Sequence, residues 1–369
     1  MNAATRGPVL VVGTGLLGTS VGLRLTALGV DVRLQDPSRT AVALARDVGA
    51  GRPTAPDDDE PALVVVAAPP DVTADAVAAQ LGAHPHAVVT DVASVKGHVL
   101  AQLEAAGADL SRYVGSHPMA GRERSGPSAA VPDLFLGRPW VIAPSPVTTF
   151  DAQLAVRELA VDLGSVPVVM AADAHDAAVA AVSHVPQVVA SLVAARLVAL
   201  SDDALGLAGQ GLRDVTRIAA SDPGLWTSIL AANSAAVAPV LAALRDDLDG
   251  VLAALAVADE ATGPESVRTG TLLSIADLVA RGNDGVARIP GKHGGAQRQY
   301  AEVTVLVPDE PGELAHLLQD VGDVGVNLED LRIEHAAGRP VGLAAISVLP
   351  SSVEHLEAEL SERGWRVVR

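Results

Sequence analysis

The sequence predicts an α/β protein in three parts: a parallel-sheet domain covered by helices on both faces, an all-helical second domain and a small C-terminal βαββαβ unit. Three observations carry that prediction. Through residue 171, short Val- and Leu-rich runs alternate with segments of helical length. Residues 172–283 are Ala-rich and helical in texture, and residues 300–369 return to strand and helix in a shorter series. Alternation of the first kind implies one parallel sheet, because each crossover helix returns the chain to the same end of the sheet.

In the first part, strands are expected at 8–12, 31–35, 63–67, 87–91 and 113–115, where aliphatic residues cluster in runs of strand length. Helices are expected between them at 16–28, 38–48, 71–80 and 96–105. A further helix over 148–163 and a strand over 166–170 complete this domain, and the acidic run 57–60 reads as a solvated loop. In the helical part, Asp173, Ser201 and Asp222 are candidate caps. The apolar stretch 176–200 carries His184, Pro186, Gln187 and Arg196, so it reads as a buried helix pair rather than a membrane span. The stretch rich in Gly and basic residues over 284–299 reads as a linker. After it, elements are expected at 302–306, 313–324, 327–334, 341–348, 353–363 and 365–368.

Composition narrows the function. Of 369 residues, 49% are hydrophobic but only 2% aromatic, so the cores must be built from small side chains. A formal charge of −18 argues against nucleic acid or an anionic membrane as partner, since both require a basic face, and leaves small molecules as the expected ligands. With no cysteine there is no disulfide framework, thiolate metal site or cysteine nucleophile, and no metal is expected. The opening MNAATRGPVLVVG has no apolar core behind a basic start, so the expectation is a cytoplasmic chain.

The first strand runs into Gly13-Thr14-Gly15-Leu16-Leu17-Gly18, the strand, turn and helix context in which a glycine fingerprint has meaning. Gly13 permits the turn, Gly15 lets a pyrophosphate approach the backbone, and Gly18 allows close packing of helix on strand. The helix N-terminus at Leu16 and Leu17 then faces the phosphates, which makes the domain Rossmann-type. Asp36 ends the second strand, where a carboxylate would accept from both ribose hydroxyls and repel a 2′-phosphate; NAD is therefore expected over NADP. Two other matches are set aside. Ser20 in Gly18-Thr19-Ser20-Val21-Gly22 falls inside the first helix instead of on a nucleophile elbow, and Gly291-Lys292 lacks the strand context of a phosphate loop.

Asp91-Val92-Ala93-Ser94-Val95-Lys96 closes the fourth strand and Gly115-Ser116-His117-Pro118-Met119-Ala120-Gly121 the fifth, which makes Ser94 and His117 candidate neighbours at the sheet edge where α/β folds bind ligands. With Ser183-His184-Val185-Pro186, and with the run from Asp214 through Arg217 and Ser221 to Trp226, these blocks resemble the prephenate dehydrogenases of tyrosine biosynthesis, in order, through residue 281. The resemblance implies an NAD-dependent oxidative decarboxylation of prephenate to 4-hydroxyphenylpyruvate. It implies His117 as general base, Ser94 as the group orienting its imidazole, and Arg217 as the substrate-carboxylate ligand. His184, Ser221 and Trp226 match positions lining the pocket, and Arg213 is a second possible anion contact. The helical domain of the family forms an interlocked homodimer.

Gln187 departs from the pattern, since histidine is expected after Pro186; this leaves arogenate open as the substrate. The C-terminal unit resembles an ACT domain, with Asp309, Gly312 and Asn327 placed to contact an amino-acid effector, expected to be tyrosine. Two rivals remain. Rossmann enzymes of the 6-phosphogluconate type use a catalytic lysine on the helical domain, whereas the only lysines here are Lys96 and Lys292. A non-catalytic NAD-binding amino-acid sensor would not require Ser94, His117 and Arg217 together.

Overall fold

A computed structural model of the chain describes residues 3–121, 126–259, 269–290, 300–335 and 341–368. It divides into two compact units, Met1–Asp246 and Asp247–Arg369.

The first unit is built on an eight-stranded sheet. Its strands are β1 (Val9–Val12), β2 (Val32–Gln35), β3 (Arg52–Pro53), β4 (Leu63–Val66), β5 (Val88–Asp91), β6 (Tyr113–Pro118), β7 (Pro139–Pro144) and β8 (Val166–Val169), in the order β3-β2-β1-β4-β5-β6-β7-β8. The helices between them are α1 (Leu16–Ala27), α2 (Arg39–Asp47), α3 (Pro70–Ala83), α4 (Gly97–Ala105) and α5 (Phe150–Asp162). Successive side chains of a strand point to opposite faces. Val9, Val11, Leu63 and Val65 therefore enter one core with Val21, Leu25 and Trp140, while Leu10, Val64 and Val66 enter another with Val77, Val99 and Tyr113. Burial on both faces explains why these strands read as unbroken aliphatic runs.

Several features differ from the sequence reading, beginning with β3, whose two residues make no aliphatic run. β6 is longer than 113–115 and continues through His117, because β7 pairs with it antiparallel, His117 opposite Val141. β7 went unpredicted since Pro139 and Pro144 bracket it, and prolines at both ends of a six-residue run resemble a loop. The acidic run 57–60 is the expected, mostly exposed loop, with ion pairs added to it: Asp58 pairs with Arg52 at 2.5 Å and with Arg33 at 3.8 Å, and Glu60 holds His86 at 2.8 Å. The stretch taken as a helix pair is one 26-residue helix, Ala172–Leu197, made of α6 (Ala172–Val179), a π turn (Ala180–His184) and α7 (Val185–Leu197). Length and composition alone would let it cross a membrane. Its buried residues, however, include His175, Asp176, His184 and Gln187, the polar face of a protein interior.

The helical elements continue with α8 (Asp202–Leu205), α9 (Gln210–Thr216), α10 (Pro223–Ala232) and α11 (Ser234–Asp259). Asp222 caps α10, accepting from the Leu225 N–H at 2.7 Å, with Pro223 at the first helical position. Ser201 caps α8 in the same way. Asp173 is no cap but sits in the first turn of α6, where a carboxylate favours the helix dipole. α10 returns to the sheet, and its Ile229 is buried in the core beneath α3 and α4.

In the second unit, α12 (Thr269–Ala287) is tied to α11 by Arg281, which bridges Asp247 at 2.9 Å and Asp277 at 3.0 Å. α12 continues through Gly282 and Gly285, so the start of the expected linker is helical; residues 291–299, including Lys292, lie outside the described residues. β9 (Ala301–Pro308), α13 (Glu313–Asp323), β10 (Asp330–His335), β11 (Val341–Val348), α14 (Val353–Glu362) and β12 (Arg366–Val368) follow in the expected βαββαβ order. They form an antiparallel sheet, β10-β11-β9-β12. Val303, Val305, Ala344 and Ile346 of the sheet close its core against Leu317 and Leu356.

Candidate active site

The glycine loop has the geometry a dinucleotide needs. Gly13 has φ +97°, and a Cβ there would stand 2.3 Å from the Ala67 carbonyl oxygen. Nothing lies within 4 Å of a Cβ built on Gly15, and α1 has no side-chain cap, so no capping side chain engages its first-turn N–H groups at Leu16 and Leu17. Gly18 is buried against the Gly13 carbonyl. Asp36 stands beside this loop as expected, yet its carboxylate already works within the protein. Oδ2 accepts from the Thr14 N–H at 2.7 Å and the Thr14 hydroxyl at 3.1 Å, and Oδ1 from the Ser38 N–H at 2.8 Å. These contacts hold the loop to the second strand while leaving acceptor capacity on each oxygen. Ser20 lies inside α1, its hydroxyl accepting from the Val131 N–H at 3.2 Å.

At the other end of the sheet edge a buried polar network surrounds His117. Lys96, 1% exposed, pairs with the fully buried Asp91 and donates to the Ser116 carbonyl at 2.7 Å; the Tyr113 hydroxyl donates to Asp91 at 2.7 Å. β5, β6 and the turn before α4 are thereby locked together next to the imidazole.

Ser94, expected to orient that imidazole, is not its hydrogen-bond partner here. It is half-buried, and no hydrogen bond joins it to His117 among the described residues. His117 Nδ1 instead lies 2.8 Å from His175 Nε2, and His175 Nδ1 lies 2.8 Å from Asp176 Oδ1. The rings of His117 and His175 meet edge to face at 80°. Asp176 also accepts from the Lys96 and Gly97 N–H groups, both at 2.8 Å, and so caps α4 from α6. Burial, the neighbouring His175, the Lys96 cation and His184 together hold the His117 pKa well below the usual imidazole value. Burial pushes Asp176 the other way, but the His175 contact and the two N–H donors outweigh it and leave its pKa lowered. Sequence reasoning passed over His175 and Asp176; the adjacent His-Asp pair at the start of an apolar helix was the signal available.

His184 closes the π turn. Its Nδ1 lies 3.1 Å from Asn233 Nδ2, which also donates to the Asp176 carbonyl at 2.9 Å. A backbone carbonyl can only accept, so Asn233 presents its NH2 there, His184 Nδ1 accepts, and the neutral ring carries its proton on Nε2. Burial brings the His184 pKa down to about 4, against a partial pull upward from Asp176. Trp226 meets this ring edge to face, with centroids 6.0 Å apart.

His117, His184 and Trp226 are thus linked through His175, Asp176 and Asn233. Ser221 is close to Gln187, 3.5 Å from Oε1, while its hydroxyl donates to the Ile218 carbonyl at 2.7 Å. Arg217 is exposed on a 3-10 turn, Arg217–Ala219, that packs against α7; Arg213 is exposed on α9. No contact joins Arg213 to the histidines among the described residues. Residues 122–125, which follow the His117 segment, lie outside the described residues.

Comparison with known proteins accords with this geometry. The chain matches the family model for the prephenate dehydrogenase nucleotide-binding domain over residues 21–169, and that for the prephenate dehydrogenase dimerization domain over residues 171–263. It is 39% identical to the Streptomyces niveus protein named "Probable prephenate dehydrogenase NovF", over 96% of this chain and 98% of the relative. It is 30% identical to the cyclohexadienyl dehydrogenase of Zymomonas mobilis, covering 68% and 89%. Among solved structures it resembles the prephenate dehydrogenase from A. aeolicus in complex with hydroxyphenyl propionate and NAD+. The TM-score is 0.65 and the identity 25%, over 77% of this chain and 99% of that one.

Proposed function

This chain belongs to the prephenate dehydrogenase family, and we propose that His117 is the base that starts its reaction. The enzyme is an NAD-dependent oxidoreductase that converts prephenate to 4-hydroxyphenylpyruvate. One observation carries the assignment of the base: a buried, neutral imidazole at the C-terminal edge of the parallel sheet, with one nitrogen engaged by the protein and the other, Nε2, available.

Gly13, Gly15, the first turn of α1 and Asp36 would hold the dinucleotide. Bound NAD+ supplies the acceptor for the hydride that leaves C4 of the substrate. His117 Nε2 takes the C4 hydroxyl proton as that carbon becomes a carbonyl. CO2 then departs from C1, its bonding pair entering the ring to give the aromatic phenolate, which takes a proton back from the His117 imidazolium. His184, with its proton on Nε2, is a neutral donor for a substrate oxygen, and Trp226 fixes its ring. Arg217 positions a substrate carboxylate; a grip only moderately tight on the departing group leaves the ground state unstabilised. Ser94, half-buried beside the β5 end, serves the substrate or the nicotinamide side of this cleft, with Arg213 as an outer anion contact.

A second reading of the substrate rests on Gln187. Its carboxamide is buried and lies beside Ser221, and it offers both donor and acceptor to a substrate side chain, which suits the ammonium of arogenate as well as the keto group of prephenate. The chain is further proposed to act as a cytoplasmic homodimer. Leu244, Leu248, Leu252 and Leu255 are 41–57% exposed along α11, an apolar stripe at helical spacing that a second copy would cover. The C-terminal unit is proposed as an ACT-type module for an amino-acid effector such as tyrosine. In support, Gly312 has φ +100° at the start of α13 with no atom near its Cβ position, and the exposed Asp309 precedes it. Asn327 is exposed as well, donating to Glu329 at 2.7 Å.

Purified protein with NAD+ or NADP+, offered prephenate and arogenate in turn, tests the set by absorbance of the reduced nicotinamide with and without tyrosine. Turnover of prephenate with NAD+ is the expected result. Turnover of arogenate alone would move the assignment to the second reading, and turnover of neither would refute both.

A further inference from the structure

Asp176, His175 and His117 form a chain of contacts, each link 2.8 Å long, and its first member decides the state of the last. The Asp176 carboxylate is held ionised by His175 and by the Lys96 and Gly97 N–H groups, so it can only accept. His175 Nδ1 must then carry the proton and donate it. A neutral His175 therefore presents a bare Nε2, and His117 can meet it only as a donor, through Nδ1–H. With its one proton placed there, His117 has its lone pair on Nε2.

We propose that His175 is a positioning residue that sets the His117 tautomer, with Asp176 as its anchor; this rests on the reading of His117 as the base. Without such a partner a neutral imidazole distributes its proton between its nitrogens, and the Nε2–H form cannot accept from a substrate. The arrangement also disperses charge. When His117 takes the substrate proton, the resulting imidazolium faces His175 and, through it, a carboxylate 8% exposed, where electrostatic stabilisation is less screened than in water. The opposing charge on this shell is Lys96, paired with Asp91, and the other titratable group facing the ring is His184. Asp176 holds α4 and His175 with the same two oxygens, so the imidazole is fixed relative to the sheet edge and to α6 at once.

The test has two independent readouts. In protein labelled with 15N-histidine, long-range 1H–15N correlations at neutral pH should show His117 and His175 both as Nδ1–H tautomers. An Nε2–H His117 would overturn the proposal whatever the substrate proves to be. In kinetics, His175→Leu should lower kcat by roughly 10²–10⁴-fold with NAD+ affinity unchanged, whereas His175→Gln should stay within about tenfold of wild type, because its amide oxygen can accept from His117 Nδ1–H. Thermal melts of both variants control for folding, since Asp176 retains its two backbone donors in each. Equal loss in two folded variants, or no loss in either, would count against the tautomer role. Near-normal turnover of His117→Asn would instead remove the base assignment and leave the tautomer measurement standing.

Discussion

The sheet edge around His117 and the helical surface around Arg217 solve opposite problems. Around His117 the charged and ring groups are buried and already partnered: Lys96 with Asp91, Tyr113 with Asp91, His117 with His175, His175 with Asp176. Such a network has met its ordering cost on folding, so its geometry is available before substrate arrives. Arg217 and Arg213 are exposed, on a 3-10 turn and a seven-residue helix. An exposed guanidinium can be reached by a substrate carboxylate and grip it with paired hydrogen bonds. The comparison teaches that loss of function should divide: damage at the first region appears in turnover or stability, damage at the second in substrate affinity.

The hardest blow to the first region is His117→Asn. Turnover should fall roughly 10²–10⁴-fold, the usual contribution of a positioned base, while NAD+ titration by protein fluorescence stays normal. Lys96→Met leaves Asp91 buried without its cation. Unfolding in urea should show a loss on the order of 3–5 kcal/mol; a smaller loss would mean that the Tyr113 hydroxyl and the Ala93 N–H suffice for the carboxylate. For Arg217→Ala the expected result is a higher KM with kcat little changed, about 1.5–3 kcal/mol for a charged hydrogen bond. A fall in kcat with KM untouched would erase the contrast between the regions.

Acid sharpens the same contrast. His117 is active when neutral and its pKa is depressed, so kcat/KM should hold as pH falls through the ordinary imidazole range and drop only at lower pH. Stability follows the same sign. His184 titrates at about 4 folded against 6.5 unfolded, so its contribution is complete above 6.5 and lost as pH falls toward 4, which thermal melts across that window would register. Smallest of all should be Asn233→Ala, which frees the His184 tautomer and costs on the order of 1 kcal/mol in stability, with a few-fold loss of kcat/KM.

Much of this was legible in the sequence, for reasons that differ by region. Strands buried on both faces announce themselves as aliphatic runs, and the glycine loop is readable because its constraint is local: Gly13 and Gly18 each meet backbone where no Cβ fits. His117 stood out as a histidine closing a strand. Its partner did not, because His175 lies 58 residues away and nothing in local spacing says which strand end a helix will face. The resemblance implies that role for Ser94, whereas the hydrogen-bond partner of His117 Nδ1 in the fold is His175. β7 escaped for the same reason; antiparallel pairing with β6 is a tertiary choice that overrides its flanking prolines.

The π turn at Ala180–His184 sets the phase of everything after it. Nine residues separate His175 from His184, which in an uninterrupted α-helix would put the two rings on opposite sides, about 180° apart at 100° per residue. The wider turn takes up the surplus residue, and both histidines come to lie near Asp176. Helix angle, as much as residue identity, therefore places His184 beside the His175–Asp176 pair. Deleting one alanine from Ala180–Ser183 removes that surplus residue, so the segment should close into regular α-helix, with eight steps putting the rings about 80° apart and α7 kept in phase. Inserting one alanine should instead turn His184 and Gln187 by about 100°.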